Sequence, residues 1–222
     1  MSRVRAFLAN DGGASGAEFA LVLPAFLVLL LGTVDVGRWM WSLNEVEKAT
    51  QVGARQAVVT NLVARGLNTA DFADACADPL VVGDRIACTD AFPEITCTSI
   101  ACSCPGGCGD VDVGGDNFDA PAFAAIVQRM RTIAPYITPA AVTVSYRPSG
   151  IGYYGDPTCL DGVQTSDGCS TGDLSDVAPI VTVAVSSVQF QPITFSLFQG
   201  GITIPARSYS LTLEDGYGTA SS

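Results

Sequence analysis

Residues 14–38 read ASGAEFALVLPAFLVLLLGTVDVGR, an apolar run that decides the architecture of this 222-residue chain. Between Phe19 and Val34 the run carries no charged side chain, and when it is extended back to Ala14 it contains only Glu18. At a rise of 1.5 Å per residue, a helix over 14–34 is about 31 Å long, close to the hydrocarbon thickness of a bilayer. The sequence therefore predicts a transmembrane helix over residues 14–38.

The flanks of the run separate a membrane anchor from its alternatives. A secretory signal peptide fits poorly, because no small-x-small cleavage site follows the run, and a buried core helix would not need a basic leader. Beyond the run, Asp35 is a polar stop, and Trp39 and Trp41 suit the membrane surface. Arg3 and Arg5 on the short N-terminal side predict a cytoplasmic N-terminus, so the bulk of the chain is expected across the membrane.

The composition argues against several functional classes. The chain has no histidine, which removes serine–histidine and cysteine–histidine catalysis and any histidine zinc site. Its net charge is −11, which argues against nucleic acid as a partner. Paired carboxylates could hydrolyse glycosides without histidine, but no pair stands out, so an enzyme is the least favoured class. We expect no cofactor and no bound metal.

The helix is predicted to continue beyond the apolar run. Residues 39–65 contain no proline and a single glycine, and they end before Gly66. Their apolar side chains form two stripes, one with Trp39, Leu43, Val46, Ala54 and Ala57, the other with Val52, Val59 and Val63. Two stripes require two packing partners. The first half of this long helix is thus expected in lipid, and 39–65 is expected to support a soluble domain.

Cysteines dominate the irregular region 66–119. The chain has eight cysteines, and six of them lie here: Cys76, Cys88, Cys97, Cys102, Cys104 and Cys108. Four sulfurs in CTSIACSCPGGC could surround zinc, but paired C-x-x-C spacings are missing and the predicted compartment is oxidising, so disulfides are favoured. Cys159 and Cys169 lie in a separate loop and are predicted to pair with each other, which leaves the connectivity of the other six open.

An acidic cluster ends this region. Its members are Asp110, Asp112, Asp116, Asn117 and Asp119. Calcium prefers such oxygen ligands, but the spacing does not match an EF-hand loop, so a solvated acidic loop is predicted. Asp119 also resembles a helix N-cap, with Pro121 in the first turn. A short helix is expected to follow, with an apolar stripe at Phe123, Ile126, Val127 and Met130.

The remainder of 120–214 is predicted to be a small antiparallel sheet. Val142, Val144 and Tyr146 alternate with Thr143, Ser145 and Arg147, which predicts a half-buried strand, and Val181, Val183 and Val185 mark a second strand. The apolar parity switches near Ser186–Ser187, which predicts a bulge. In the last strand region the parity switches around Pro205, which predicts an edge or a break. The fold class is therefore α+β, and residues 215–222 are expected to be a flexible tail.

The residues around Glu18 also carry a family resemblance. Counted from the residue after Gly13, Ala14 is first and Glu18 fifth, and an apolar run follows from Phe19; this resembles the type IV prepilin processing signal. The string GAEFALVLP over 16–24, followed by Gly32, Asp35, Gly37 and Arg38, resembles the TadE-like and related TadG-like proteins of the Flp/Tad type IVb pilus system. The resemblance is specific over residues 13–65 and loose beyond them.

The resemblance implies a pilin-like architecture and an assembly role. Residues 1–13 become a leader that a prepilin peptidase removes after Gly13, and Glu18 pairs with the Ala14 amine of a neighbouring subunit. The implied partners are that peptidase, major and minor pilin subunits, the inner-membrane Tad secretion machinery and the lipid bilayer. The resemblance thus implies that the protein is a minor pilin or pseudopilin that supports adhesion. It would cross the bacterial inner membrane once and carry a periplasmic domain. The alternative is an uncleaved anchor that carries a periplasmic adhesin-like binding module.

Overall fold

A computed structural model of the chain describes residues 14–68, 70, 72, 76, 78–80, 84–109, 111–154, 176–194 and 201–213. The predicted leader 1–13, the loop with Cys159 and Cys169, and the tail 215–222 lie outside these residues. The chain divides into two compact units. One comprises Met1–Leu43 with Gln189–Thr203, and the other comprises Asn44–Val188 with Ile204–Ser222.

Two α-helices are present in the described residues, α1 (Ala14–Val59) and α2 (Ala120–Arg131). The predicted long N-terminal helix is therefore confirmed, and it continues through Pro24 without interruption. Three short 3₁₀ turns occupy Arg65–Asn68, Gly115–Asn117 and Pro139–Ala141.

Five strands form the main antiparallel sheet. They are β1 (Ile95–Cys97), β2 (Cys102–Ser103), β3 (Val142–Arg147), β6 (Ile180–Val185) and β9 (Arg207–Thr212), in the order β2-β1-β3-β6-β9. Two further antiparallel pairs stand apart from it, β4 (Gly152–Tyr153) with β5 (Asp176–Val177) and β7 (Gln189–Phe190) with β8 (Ile202–Thr203). The α+β class and the small antiparallel sheet are thus confirmed.

The core of the second unit lies between the helices and the central strands. The alternation predicted for β3 and β6 is observed, with Val144 opposite Val183 in the register and both side chains buried. Gly53 allows α1 to lie close to α2 and to β6. A Cβ at this position would lie 2.7 Å from Met130 Cγ on α2 and 3.3 Å from Val183 Cγ1 on β6. The apolar stripe of α2 is buried as predicted: Phe123, Ile126, Val127 and Met130. Of the first stripe predicted on α1, Val46, Ala54 and Ala57 are buried. Of the second, Val59 is 46% exposed, and Val63 is buried but lies beyond the end of α1.

Tertiary contacts end α1 at Val59 rather than at residue 65, the predicted end of the extension. Beyond Val59 the backbone bonds to other parts of the second unit: Val63 N–H donates to the Tyr146 hydroxyl at 2.9 Å, and Val63 O accepts from Asp119 N–H at 2.8 Å. Arg65 donates to Asp119 Oδ2 at 2.9 Å through Nε and 2.6 Å through Nη2. A longer α1 would have used the Val63 N–H and carbonyl in its own helical hydrogen bonds.

Asp119 corrects the interpretation of the acidic cluster. The carboxylate is buried, and its Oδ1 accepts from Ala122 N–H at 2.9 Å, which confirms the predicted N-cap of α2. Asp119 is therefore a structural residue and not part of a solvated loop. Asp112 and Asp116 are exposed, as a solvated loop requires, and Asp110 lies outside the described residues.

The predicted bulge near Ser186–Ser187 is a strand end. β6 stops at Val185, Ser187 adopts a φ of 62°, and the chain then enters β7 in a separate two-stranded pair. A left-handed residue turns the chain out of the sheet, so the change of parity marks a change of sheet. The predicted break at Pro205 is confirmed, since Pro205 lies between β8 and β9.

Three cysteine pairs lie at disulfide distance: Cys76–Cys88, Cys97–Cys102 and Cys104–Cys108. Cys97 and Cys102 are directly opposite in the β1–β2 pairing. All three pairs are local in sequence, with separations of 12, 5 and 4 residues. They therefore constrain short loops within a region that has little regular structure. In the described part of the chain, no group of three or more cysteine, aspartate or glutamate side chains could hold a metal ion.

The buried hydroxyl of Tyr146 gives a prediction about stability. Tyr146→Phe is expected to destabilise the fold by about 1–3 kcal/mol, because it leaves the Val63 N–H buried without its acceptor. Chemical unfolding of the full chain in detergent, followed by circular dichroism, measures this change. The matched control is Tyr209→Phe, at a side chain that is 37% exposed, and its effect should stay within about 0.5 kcal/mol.

The difference in stability between wild type and Tyr146→Phe is also expected to depend on pH. Burial raises the pKa of Tyr146, so the unfolded chain loses this proton near the ordinary value of about 10 while the folded protein keeps it. The resulting stability is complete below that pH and is lost as the pH rises above it. The unfolding curves of wild type and Tyr146→Phe should therefore converge above about pH 10. A constant difference across that range would contradict the assignment.

Candidate functional site

The first half of α1 presents an apolar surface. Between Phe19 and Val36 nearly every large apolar side chain is exposed, including Leu21 at 80% and Leu29 at 67%. Its most apolar stretch has a mean hydropathy of 2.4 and is 6% buried, so Gly16–Val59 contains a candidate membrane span. Leucine and valine exposed at this density need either lipid or another apolar surface around them.

The predicted processing residues lie at the start of this helix. Ala14 is its first residue, and Gly13 precedes the described residues. Glu18 and Phe19 are both exposed, Phe19 at 65%. Glu18 lies four residues after Ala14, and this spacing places the two positions on one face of the helix.

Glu18 has no partner within the part of the chain that the structure describes. No hydrogen bond or ion pair in that part of the chain involves its carboxylate. The next charged residue along α1 is Asp35. A carboxylate that enters an apolar environment requires a partner or a proton. A functional partner for Glu18 therefore has to come from another molecule or from residues outside the described ranges.

Asp35 forms a second polar site, at the C-terminal end of the apolar run. Its Oδ1 accepts from Ile193 N–H at 2.8 Å, and its Oδ2 accepts from Thr194 N–H at 2.8 Å and from the Thr194 hydroxyl at 2.6 Å. Asp35 is only 6% exposed, so the carboxylate is held within the first unit by donors from the chain segment that follows β7. This arrangement fixes 193–194 against α1.

Arg38 completes this polar site. Its Nη1 lies 3.2 Å from Asp35 Oδ1, and its guanidinium carbon lies 5.3 Å from the centroid of the Phe190 ring. The spacing of three residues places Asp35 and Arg38 on one face of α1. One turn of α1 therefore carries both Asp35, which accepts hydrogen bonds from residues 193–194, and Arg38, whose guanidinium lies over the Phe190 ring of β7.

Sequence reasoning identified Asp35 as a polar stop and as part of the family string, and it did not predict this docking role. The partner segment is more than 150 residues away in sequence, and local periodicity carries no information about such a contact. A signal was nevertheless present, because the carboxylate directly follows a membrane-length apolar run, where a buried charge needs a partner.

The long helix, with an exposed apolar first half that contains a candidate membrane span and an α+β domain packed on its second half, defines a pilin-like class of fold. A family model described as TadE-like protein matches residues 13–55, which contain the predicted processing residues and, from the polar site, Asp35 and Arg38. The resemblance inferred from the sequence is thereby confirmed over this segment, and the match supports a protein associated with the Tad pilus system. Comparisons with curated proteins and with solved structures found no match.

The family match carries general consequences. The TadE-like family consists of pilus structural components, so its members' partners belong to the pilus and to the Tad machinery. Together with the candidate span in α1, the match favours a location in a membrane. The matched residues end at 55, so most of the α+β domain lies beyond the part of the chain that the family describes.

Proposed function

We propose that this protein is a minor pilin or pseudopilin that takes part in assembly of a Tad-type, type IVb pilus. Its role is non-enzymatic: the subunit is stored in the inner membrane, processed after Gly13 by a prepilin peptidase, and then brought into contact with major and minor pilin subunits. The observation that carries the proposal is the TadE-like segment over residues 13–55 with Glu18 exposed at its start.

Charge pairing gives Glu18 its role in this proposal. Cleavage after Gly13 would create a cationic amine at Ala14, and a cation and a carboxylate that both enter an apolar bundle stabilise each other only when they are adjacent. Because Glu18 has no partner among the described residues, the amine of a neighbouring subunit is the natural complement. The exposed leucines and valines of α1 would supply the apolar packing around that pair.

The orientation follows from the basic leader. Arg3 and Arg5 keep the N-terminus cytoplasmic, where the peptidase acts, and the α+β domain then lies in the periplasm. An oxidising periplasm would allow the three cysteine pairs at disulfide distance to form. The domain would face outward in an assembled pilus and support attachment to surfaces.

N-terminal sequencing and intact mass of Gly13→Val test the processing step. Wild type is expected to begin at Ala14, whereas Gly13→Val should accumulate the precursor. Each increase of about 1.4 kcal/mol in the cleavage barrier, caused by the larger side chain in the peptidase site, slows cleavage about tenfold. Gly12→Val is the matched control, because it places the same side chain one residue away and should leave the mature mass unchanged. Pilus number on cells should fall with Gly13→Val only.

The alternative function is distinguished by the same measurement. An uncleaved anchor with an adhesin-like periplasmic module retains its leader in wild type. Gly13→Val then changes the intact mass only by the added side chain and does not alter attachment. A wild-type chain that starts upstream of Ala14 would therefore contradict the pilin proposal.

A further inference from the structure

A groove of about 650 Å³ lies within the first unit, between α1 and the residues of β7 and β8. Its apolar walls include Leu29, Val36 and Trp39 from α1 and Phe190, Pro192 and Ile202 from the other side. In the β7–β8 pairing Phe190 is opposite Ile202, and Gln189 is opposite Thr203. Because successive residues of a strand point to opposite faces, this two-stranded element has one apolar and one polar face.

We propose that the groove binds one acyl chain of a membrane phospholipid. Leu29 and Trp39 are ten residues apart, so the groove extends about 15 Å along α1. It begins inside the apolar run, next to the 67% exposed Leu29, and ends at the aromatic residues that follow the run. The groove is therefore continuous with the surface that faces lipid when α1 spans a bilayer, and lipid chains are the solvent available there.

The end of the groove at Trp39 offers a polar group that suits a lipid head. Trp39 Nε1 is buried, and it has no hydrogen-bond acceptor among the residues that the structure describes. An ester or phosphate oxygen of a phospholipid is an acceptor of the required kind, and tryptophan favours this depth of the bilayer.

The occupant is one acyl chain rather than a second helix, because the groove extends the apolar surface of α1 that meets lipid when α1 spans a bilayer. The buried donor at Trp39 also needs an acceptor, which the apolar face of another α1 does not carry. A single acyl chain is thinner than a helix and has no side chains to accommodate.

Tryptophan fluorescence tests the proposal in the full chain, reconstituted in vesicles of phosphatidylcholine and phosphatidylglycerol with brominated acyl chains. The chain has two tryptophans, so Trp41→Phe leaves Trp39 as the only tryptophan and Trp39→Phe leaves Trp41. Trp39 should be quenched by bromine. Gly32→Leu, at a groove position with open space for a side chain, should roughly halve that quenching, because the added volume displaces the chain.

Gly37→Leu is the matched control. Gly37 also has open space around it, but it lies on another face of α1, so this change should leave the quenching of Trp39 unaltered. Trp41, which is 70% exposed, should be quenched equally with and without Gly32→Leu. These two comparisons separate occupancy of the groove from general contact with the bilayer.

Three results would overturn the proposal. Quenching of Trp41 without quenching of Trp39 means that the protein itself closes the groove. Equal effects of Gly32→Leu and Gly37→Leu mean that no chain is displaced from it. Loss of Trp39 quenching at a high protein-to-lipid ratio assigns the groove to a second copy. The inference depends on the membrane span and not on pilus assembly, so the result at Gly13 does not decide it.

Discussion

Replacing Glu18 with alanine is expected to lower incorporation of this protein into Tad pilus assemblies strongly while cleavage after Gly13 continues. The carboxylate is exposed, and in the proposed assembly it pairs with the amine that cleavage creates at Ala14. Without Glu18 that amine enters an apolar bundle unpaired, and an uncompensated charge there is costly enough to lower incorporation about tenfold or more. Crosslinking of the mature protein to pilin subunits, and its recovery in sheared pili, measure the loss.

The matched control for Glu18→Ala is Glu47→Ala. Glu47 carries the same side chain, lies on the same helix and is also exposed, but it lies beyond the apolar run, where water can solvate the charge. Its replacement should leave incorporation unchanged. Mature mass separates the two steps, because Glu18→Ala should still begin at Ala14. Normal incorporation of mature Glu18→Ala protein would show that the carboxylate has no role in assembly.

Local patterns predicted α1 and the central strands because each pattern there depends on neighbours in sequence. An uninterrupted apolar run of membrane length is typical of a helix that spans a bilayer, and Val144 and Tyr146 alternate with polar residues as a half-buried strand requires. In the same way, Asp119 followed by Pro121 is a local signal for a helix start, and the structure places the cap there. These elements could therefore be assigned before any tertiary contact was known.

The features that sequence reasoning missed depend on contacts between distant residues. α1 ends at Val59 although neither proline nor glycine lies between Val59 and Gly66, because Val63 and the following residues bond to Tyr146 and Asp119. The parity change after Val185 predicted a bulge, yet the chain leaves the sheet altogether at Ser187. Likewise, the cysteine spacings fixed the number of possible bonds but not the three local pairs.

Asp35→Asn is expected to release the chain segment around Ile193 and Thr194 from α1. The carboxylate accepts from both backbone N–H groups and from the Thr194 hydroxyl. An amide in its place offers one oxygen acceptor and directs an NH₂ donor at groups that are themselves donors. Amide hydrogen exchange at Ile193 and Thr194 should accelerate about a hundredfold in the full chain in nanodiscs.

Arg38→Gln decides whether the hydrogen bonds or the ion pair holds this segment. The Arg38–Asp35 pair is 3.2 Å long, and the arginine side chain is 46% exposed, a geometry whose measured contribution is usually small. Arg38→Gln leaves all three donors from 193–194 in place, so it should change exchange at the two amides several-fold at most. Equal acceleration in Arg38→Gln and Asp35→Asn would mean that the ion pair dominates. Unchanged protection in Asp35→Asn would mean that Asp35 does not hold 193–194 against the helix.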